Sequence, residues 1–227
     1  MTPPDPAPSG PPRFSPAREI LGALRSLTRS EAPPVEPHPA PPPILVLPGF
    51  GTTDRWTVWL RGRLAAAGHP VRGWGLGRNT GDVKPLTERL LPTLDRWVEA
   101  HGPTALVGWS LGGTIARAVS RRRPAHVSHI VTLGTPVRGG PRYTFVAERT
   151  ARRGVDLAAL ERRIAEQERA HPVPVPMTHL YTRADTVVAW EACLDPWNAA
   201  RRVEVQTTHL GLVVDRTVVA EIRRALR

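Results

Sequence analysis

The chain has 227 residues, 41% of them hydrophobic, and a formal net charge of +11. That length suits one domain able to bury a sizeable core, and no apolar run is long enough to span a membrane. A single cysteine, Cys193, excludes an internal disulfide, fits a reducing compartment and reads as a structural or incidental residue.

Lys84 is the one lysine among 31 basic residues, a skew of composition that says nothing about function. The run Arg121, Arg122, Arg123 and the C-terminal Arg223, Arg224 and Arg227 read as solvated helix faces. No nucleic-acid module is recognisable, so no specific nucleic-acid partner is expected. The opening residues lack a charged stretch followed by an apolar one, so no secretory signal is visible and a cytoplasmic location is expected.

Residues 1–43 hold 14 of the 26 prolines and cannot build a packed core, so this segment is expected to be largely disordered. One island interrupts it. In REILGALRSLTR, spanning 18–29, Ile20, Leu21, Leu24 and Leu27 fall at helical spacing beside arginines. A short amphipathic helix there would dock on its own domain, with peripheral membrane contact as the alternative.

From Ile44 onward apolar runs alternate with helical patterns. Strands are expected at 44–47, 71–76, 104–109, 126–133, 177–182 and 203–208. Helices are expected at 55–67, 85–100, 111–122 and 212–226. The alternation predicts an α/β fold, an open sheet of about six mainly parallel strands with helices on both faces. Residues 137–176 separate the fourth and fifth expected strands, a place where the fold resembled below often inserts a cap, and Asp156 there is expected to start a helix with Leu157, Leu160 and Ile164 in one stripe.

The stretch LVGWSLGGTIA, residues 106–116, places Ser110 between Gly108 and Gly112 just where a strand passes into a helix. This is the pattern of a nucleophile elbow, with the hydroxyl exposed above the sheet and glycines admitting close backbone. A serine hydroxyl needs a base, and the base needs an orienting group. YTRADTVVAW sets Asp185 beyond the fifth strand, and QTTHLGL sets His209 beyond the sixth. All three then lie at carboxyl ends of strands, where open α/β sheets build their sites. Asp195 and Asp215 are the rival acids; Asp195 neighbours Pro196, and Asp215 is expected inside the final helix. His179 lies within an expected strand, His126 and His129 precede or enter one and His101 ends a helix, and no pair of histidines has metal-ligand spacing, so no metal is expected.

Stabilising an oxyanion requires two donors. The Leu111 N–H is the first, and the loop LPGFG after the first strand supplies the second, assigned to Phe50 ahead of Gly49. Trp109, beside the serine, and Trp190, after the acid loop, are candidates for lining a pocket. In GRNTG, residues 77–81, Arg78 or Asn79 is placed to reach the active edge, with a plain turn as the alternative.

With these motifs together, residues 44–226 resemble α/β-hydrolases, especially small bacterial lipases and esterases. LVLPGFGTT is similar to their oxyanion loop, GWSLGG to the elbow, VTLGTPVRG to the loop after the next strand, YTRADTVV to the acid loop and THLGL to the histidine loop. Pro48-Gly49 stands where a His-Gly pair is common. The resemblance implies an ester-hydrolysing enzyme acting on a small-molecule or lipid ester without a cofactor. Acyl transfer or thioester cleavage on the same triad, and a non-catalytic binding protein of the same fold, are the other readings. A dinucleotide loop fits poorly, because Ser110 interrupts the glycine spacing and no acidic residue ends the next strand. Sequence leaves the oligomeric state open.

Overall fold

Four consecutive apolar residues bounded by prolines form the first strand, and they explain the whole architecture. In the computed structural model, which describes residues 6–28 and 34–227, β1 (Ile44–Leu47) is buried along its full length. A strand buried on both faces must lie inside a sheet covered on both sides. Ile44 and Val46 point to one layer and Leu45 and Leu47 to the other.

The sheet has six strands in the order β2-β1-β3-β4-β5-β6, and all five pairings are parallel. The remaining strands are β2 (Val71–Gly73), β3 (Thr104–Trp109), β4 (Val127–Leu133), β5 (Met177–Tyr181) and β6 (Arg201–Glu204). Strand β2 is shorter than the apolar pattern suggests. The Asp54 carboxylate takes the backbone N–H groups of Trp74 at 3.1 Å and Gly75 at 3.0 Å, which ends the ladder. Strand β6 begins two residues earlier than expected and stops before Thr207 and Thr208, which turn into the loop that carries His209.

Of the helices, α1 (Pro16–Thr28) precedes the sheet, followed by α2 (Val58–Ala66), α3 (Val83–His101), α4 (Leu111–Arg122), α5 (Ala147–Arg152), α6 (Leu157–Ala170) and α7 (Arg216–Ala225). Leu60 and Leu64 of α2 and Val218, Val219 and Ile222 of α7 cover one face. Leu86, Leu90 and Leu94 of α3 and Ile115 and Val119 of α4 cover the other. Burying each such side chain contributes roughly 1.5–3 kcal/mol. Asp215 is not inside α7 but caps it, accepting from the Thr217 N–H at 2.7 Å; its short side chain satisfies an N–H that no earlier turn could.

Helices α5 and α6 lie between β4 and β5. Asp156 caps α6, accepting from the N–H groups of Ala158 and Ala159 at 2.9 Å. The inner end of α6 is held by charge rather than by its half-buried aliphatic stripe. Arg117 of α4 donates to Glu168 and to Asp195 at 2.6 Å each, with all three side chains buried. Burial would raise the Asp195 carboxyl, but His179, Arg117 and the Trp197 N–H outweigh it and hold the group well below the usual carboxylate range. This rival acid is committed to structure. Cys193 is buried, and burial pushes its thiol well up, away from the reactive thiolate.

Among the described residues, several positions before β1 contact the domain. The Arg138 guanidinium donates to Pro6 O at 2.9 Å, and the Phe14 ring packs, tilted, against Phe145 at 4.7 Å between centroids. Arg223 and Arg224 of α7 donate to Val35 O and Pro34 O. Backbone carbonyls of a proline-rich strand have no N–H partners of their own in a sheet, so arginines can hold them. Helix α1 docks on its own domain, but by the face opposite its aliphatic one. Glu19 and Ser26 are buried, while Ile20, Leu21, Leu24 and Leu27 are exposed.

Candidate active site

The site is built at the carboxyl edge of the sheet, where β1, β3, β5 and the chain after β6 each deliver one loop. Ser110 is the N-cap of α4 and has φ 53° and ψ −124°, the one positive φ at a non-glycine residue among those described. Such a conformation costs on the order of 1–3 kcal/mol and persists only where packing enforces it. The enforcement is visible. The Ser110 N–H donates to Leu133 O at 2.7 Å, and its carbonyl accepts from the Thr135 hydroxyl at 2.8 Å. A Cβ on Gly112 would lie 2.3 Å from Leu47 O, and one on Gly108 would meet Gly113 at 2.4 Å. Those glycines let α4 start directly against β1.

His209 is buried, and its Nδ1 donates to Asp185 Oδ2 at 2.7 Å. The other carboxylate oxygen, Oδ1, accepts from the N–H groups of Val187 at 2.8 Å and Val188 at 2.7 Å. Asp185 is thereby fixed by its own loop and offers one free oxygen to the imidazole. Engagement of Nδ1 leaves Nε2 as the ring's acceptor. Gly134 presses on the ring from below, since a Cβ there would come within 2.9 Å of Nδ1. Among the described residues the Ser110 hydroxyl makes no hydrogen bond. A nucleophile–base contact that tightens only with substrate is common in unliganded sites.

Trp109 is buried and packs against the histidine loop, its Nε1 donating to His209 O at 3.1 Å. Trp190 stacks on Tyr181 at 5.8 Å between ring centroids, and the Arg183 guanidinium lies over its ring at 4.1 Å. Asn79 is fully buried. Its amide donates to Pro48 O at 2.8 Å and its backbone brackets the loop after β1, accepting from the Gly51 N–H at 2.7 Å and donating to Thr52 O at 2.9 Å. These bonds, together with Thr52 bonded to Gly49 O, hold the turn that carries Phe50. The Phe50 side chain is exposed, and Arg149 of the cap lies over its ring at 5.7 Å.

One residue at this edge went unnoticed in the sequence. Glu19 of α1 is fully buried against the acid and histidine loops. Nothing in REILGALRSLTR marks it, because the aliphatic residues around it carry the periodic signal.

No family model matches the chain. Over 115 residues it is 30% identical to the biotin biosynthesis bifunctional protein BioHC of Teredinibacter turnerae. That match covers 48% of this chain, and the chain spans about a fifth of the relative's length. Among solved structures, the lipase BlEst2 of Bacillus licheniformis in its mature form superposes with a TM-score of 0.64 at 15% identity, covering 86% of this chain and 96% of that one. A structure of the metagenome-derived lipolytic enzymes LipS and LipT gives 0.60 at 16% identity, covering 84% and 98%. The thioesterase domain from the curacin biosynthetic pathway gives 0.53 at 16% identity, covering 82% and 92%. The six-stranded parallel sheet with its flanking helices is the α/β-hydrolase fold.

Proposed function

We propose that this protein is a serine hydrolase that cleaves carboxylic esters through Ser110, His209 and Asp185. One observation carries the reading: a buried 2.7 Å Asp185–His209 pair stands at the same sheet edge as a serine held at φ 53° between strand and helix. His209 Nε2 takes the Ser110 proton as the hydroxyl attacks the ester carbonyl, and Asp185 stabilises the imidazolium that forms. The N–H groups of Leu111 and Phe50 receive the oxyanion. His209 then protonates the leaving alcohol, and water repeats the sequence to release the acid. Asn79, assigned here to shaping the oxyanion loop, acts through Phe50.

A fluorophosphonate probe followed by intact mass tests this reading. The wild type is expected to gain one adduct, and Ser110→Ala and His209→Ala to gain none. Ester turnover should fall by at least about 10⁴-fold in either variant. A folded wild type that neither labels nor turns over esters would favour a binding role for the same fold.

The substrate is inferred to be an ester presented at an anionic lipid surface. Helix α1 supports this by turning Ile20, Leu21, Leu24 and Leu27 outward, with Arg18 and Arg25 exposed beside them. Its one acidic residue is buried, so every solvent-facing charge on the helix is positive. Apolar residues flanked by arginine match an interfacial helix. Binding to phosphatidylglycerol vesicles at low salt, absent with phosphatidylcholine vesicles, is the expected result. Indifference to both would remove the lipid surface and leave a soluble ester as substrate.

A further inference from the structure

We propose that Glu19 is a positioning residue for the catalytic acid and base, clamping together the two loops that carry Asp185 and His209. The proposal rests on the triad assigned above. Glu19 Oε1 accepts from the Thr186 N–H at 2.9 Å and the Thr186 hydroxyl at 2.8 Å. Glu19 Oε2 accepts from the Leu210 N–H at 2.9 Å. Thr186 follows Asp185, and Leu210 follows His209, so one carboxylate spans the residues immediately after both members of the pair. The same turn of α1 adds a second tie, with the Thr208 hydroxyl donating to Glu19 O at 3.2 Å.

The geometry answers a weakness of this edge. Strand β6 is four residues long and mostly exposed, so the sheet supports the histidine loop poorly. Loops so placed are mobile unless tied laterally, while a catalytic pair must be held to within about 0.5 Å. The ties include Thr182 Oγ1 to Thr207 O at 2.6 Å, Trp109 to His209 O, and the Glu19 clamp. A fully buried carboxylate is costly unless donors replace its water. Three donors do so here, and they come from both loops, so the favourable state of Glu19 exists only when those loops are in register.

The docked face of α1 fits the same purpose. Glu19, Gly22, Ala23 and Ser26 lie at i, i+3, i+4 and i+7, and the three besides Glu19 are small. Gly22 lets the helix sit on Thr208, where a Cβ would come within 2.2 Å of Thr208 Cγ2. The Ser26 and Thr207 hydroxyls bond at 2.7 Å. All these contacts fall between Thr207 and Leu210 or on Thr186.

Glu19→Gln tests the clamp with almost no change of shape. The amide keeps one acceptor for Thr186 but presents N–H₂ to the Leu210 N–H, so the span is broken. We expect kcat to fall about 10- to 100-fold with KM nearly unchanged, as for a small misplacement of catalytic groups. The acidic limb of kcat/KM should also move, and the Nδ1 proton resonance of His209 should shift or broaden. Thr186→Val, which removes one donor and keeps the branched shape, should do the same to a smaller extent and stands in if Glu19→Gln fails to fold. A lowered Tm with kcat, the acidic limb and the Nδ1 proton all unchanged would reduce Glu19 to an anchor for α1 and overturn the proposal. If the wild type proves inert towards esters, the ester-hydrolase reading fails by itself. The Nδ1 resonance then still decides whether Glu19 positions the pair.

Discussion

Helices α1 and α7 are both amphipathic and both border the histidine loop, yet they dock by opposite faces. Helix α7 buries Val218, Val219 and Ile222 against the sheet and turns Arg223 and Arg224 outward. Helix α1 buries Glu19 and Ser26 and turns four aliphatic residues outward. The difference lies in what each meets. The sheet face offers apolar side chains, so α7 gains by the hydrophobic effect. The carboxyl edge offers backbone N–H groups and threonine hydroxyls that need partners, so α1 gains by supplying a carboxylate and a hydroxyl. An amphipathic pattern identifies a helix; the chemistry of the receiving surface selects its face.

Disrupting the apolar face of α7 should lower stability most. Ile222→Ala removes a fully buried side chain and is expected to cost about 2–5 kcal/mol, read by urea unfolding. Gly22→Val breaks the α1 side. Its side chain would collide with Thr208, so we expect α1 to lift off and kcat to fall as far as in Glu19→Gln, while the urea midpoint of the sheet core stays closer to wild type than in Ile222→Ala. If Gly22→Val left kcat intact, α1 would be a passenger on the histidine loop. The smallest effect belongs to Leu24→Ser. Leu24 is 54% exposed, so stability should change by no more than about 0.5 kcal/mol, while vesicle binding weakens. A large loss of stability there would mean that the aliphatic face already has a protein partner.

Much of the fold was legible because its signals are local. ILVL and TALVGW are continuous apolar runs, and both are strands buried throughout. The spacing of Leu86, Leu90 and Leu94 gave α3 its inner face. The Ser110, Asp185 and His209 positions could be read from chain order, because each follows a strand and a parallel sheet brings all strand ends to one edge. Asp185 and His209 do meet there. The tryptophans and Asn79 were harder. A residue's distance along the chain from Ser110 does not say whether its side chain faces the cleft or the core. Trp109 and Asn79 are both spent on holding loops.

The amino-acid sequence alone was enough for the parallel sheet, the glycine-flanked turn at Ser110 and the placement of Asp185 and His209 after strands. Each of these depends on periodicity or on glycines within a few residues. It took long-range packing to show that Asp195 pairs with Arg117, that Asn79 holds the Phe50 turn, and that Glu19 reaches Thr186 and Leu210. Those contacts join residues far apart in the chain, Glu19 and Leu210 by 191 positions. They are fixed by which unsatisfied donors the folded loops present, a property no single segment carries before the chain has closed on itself.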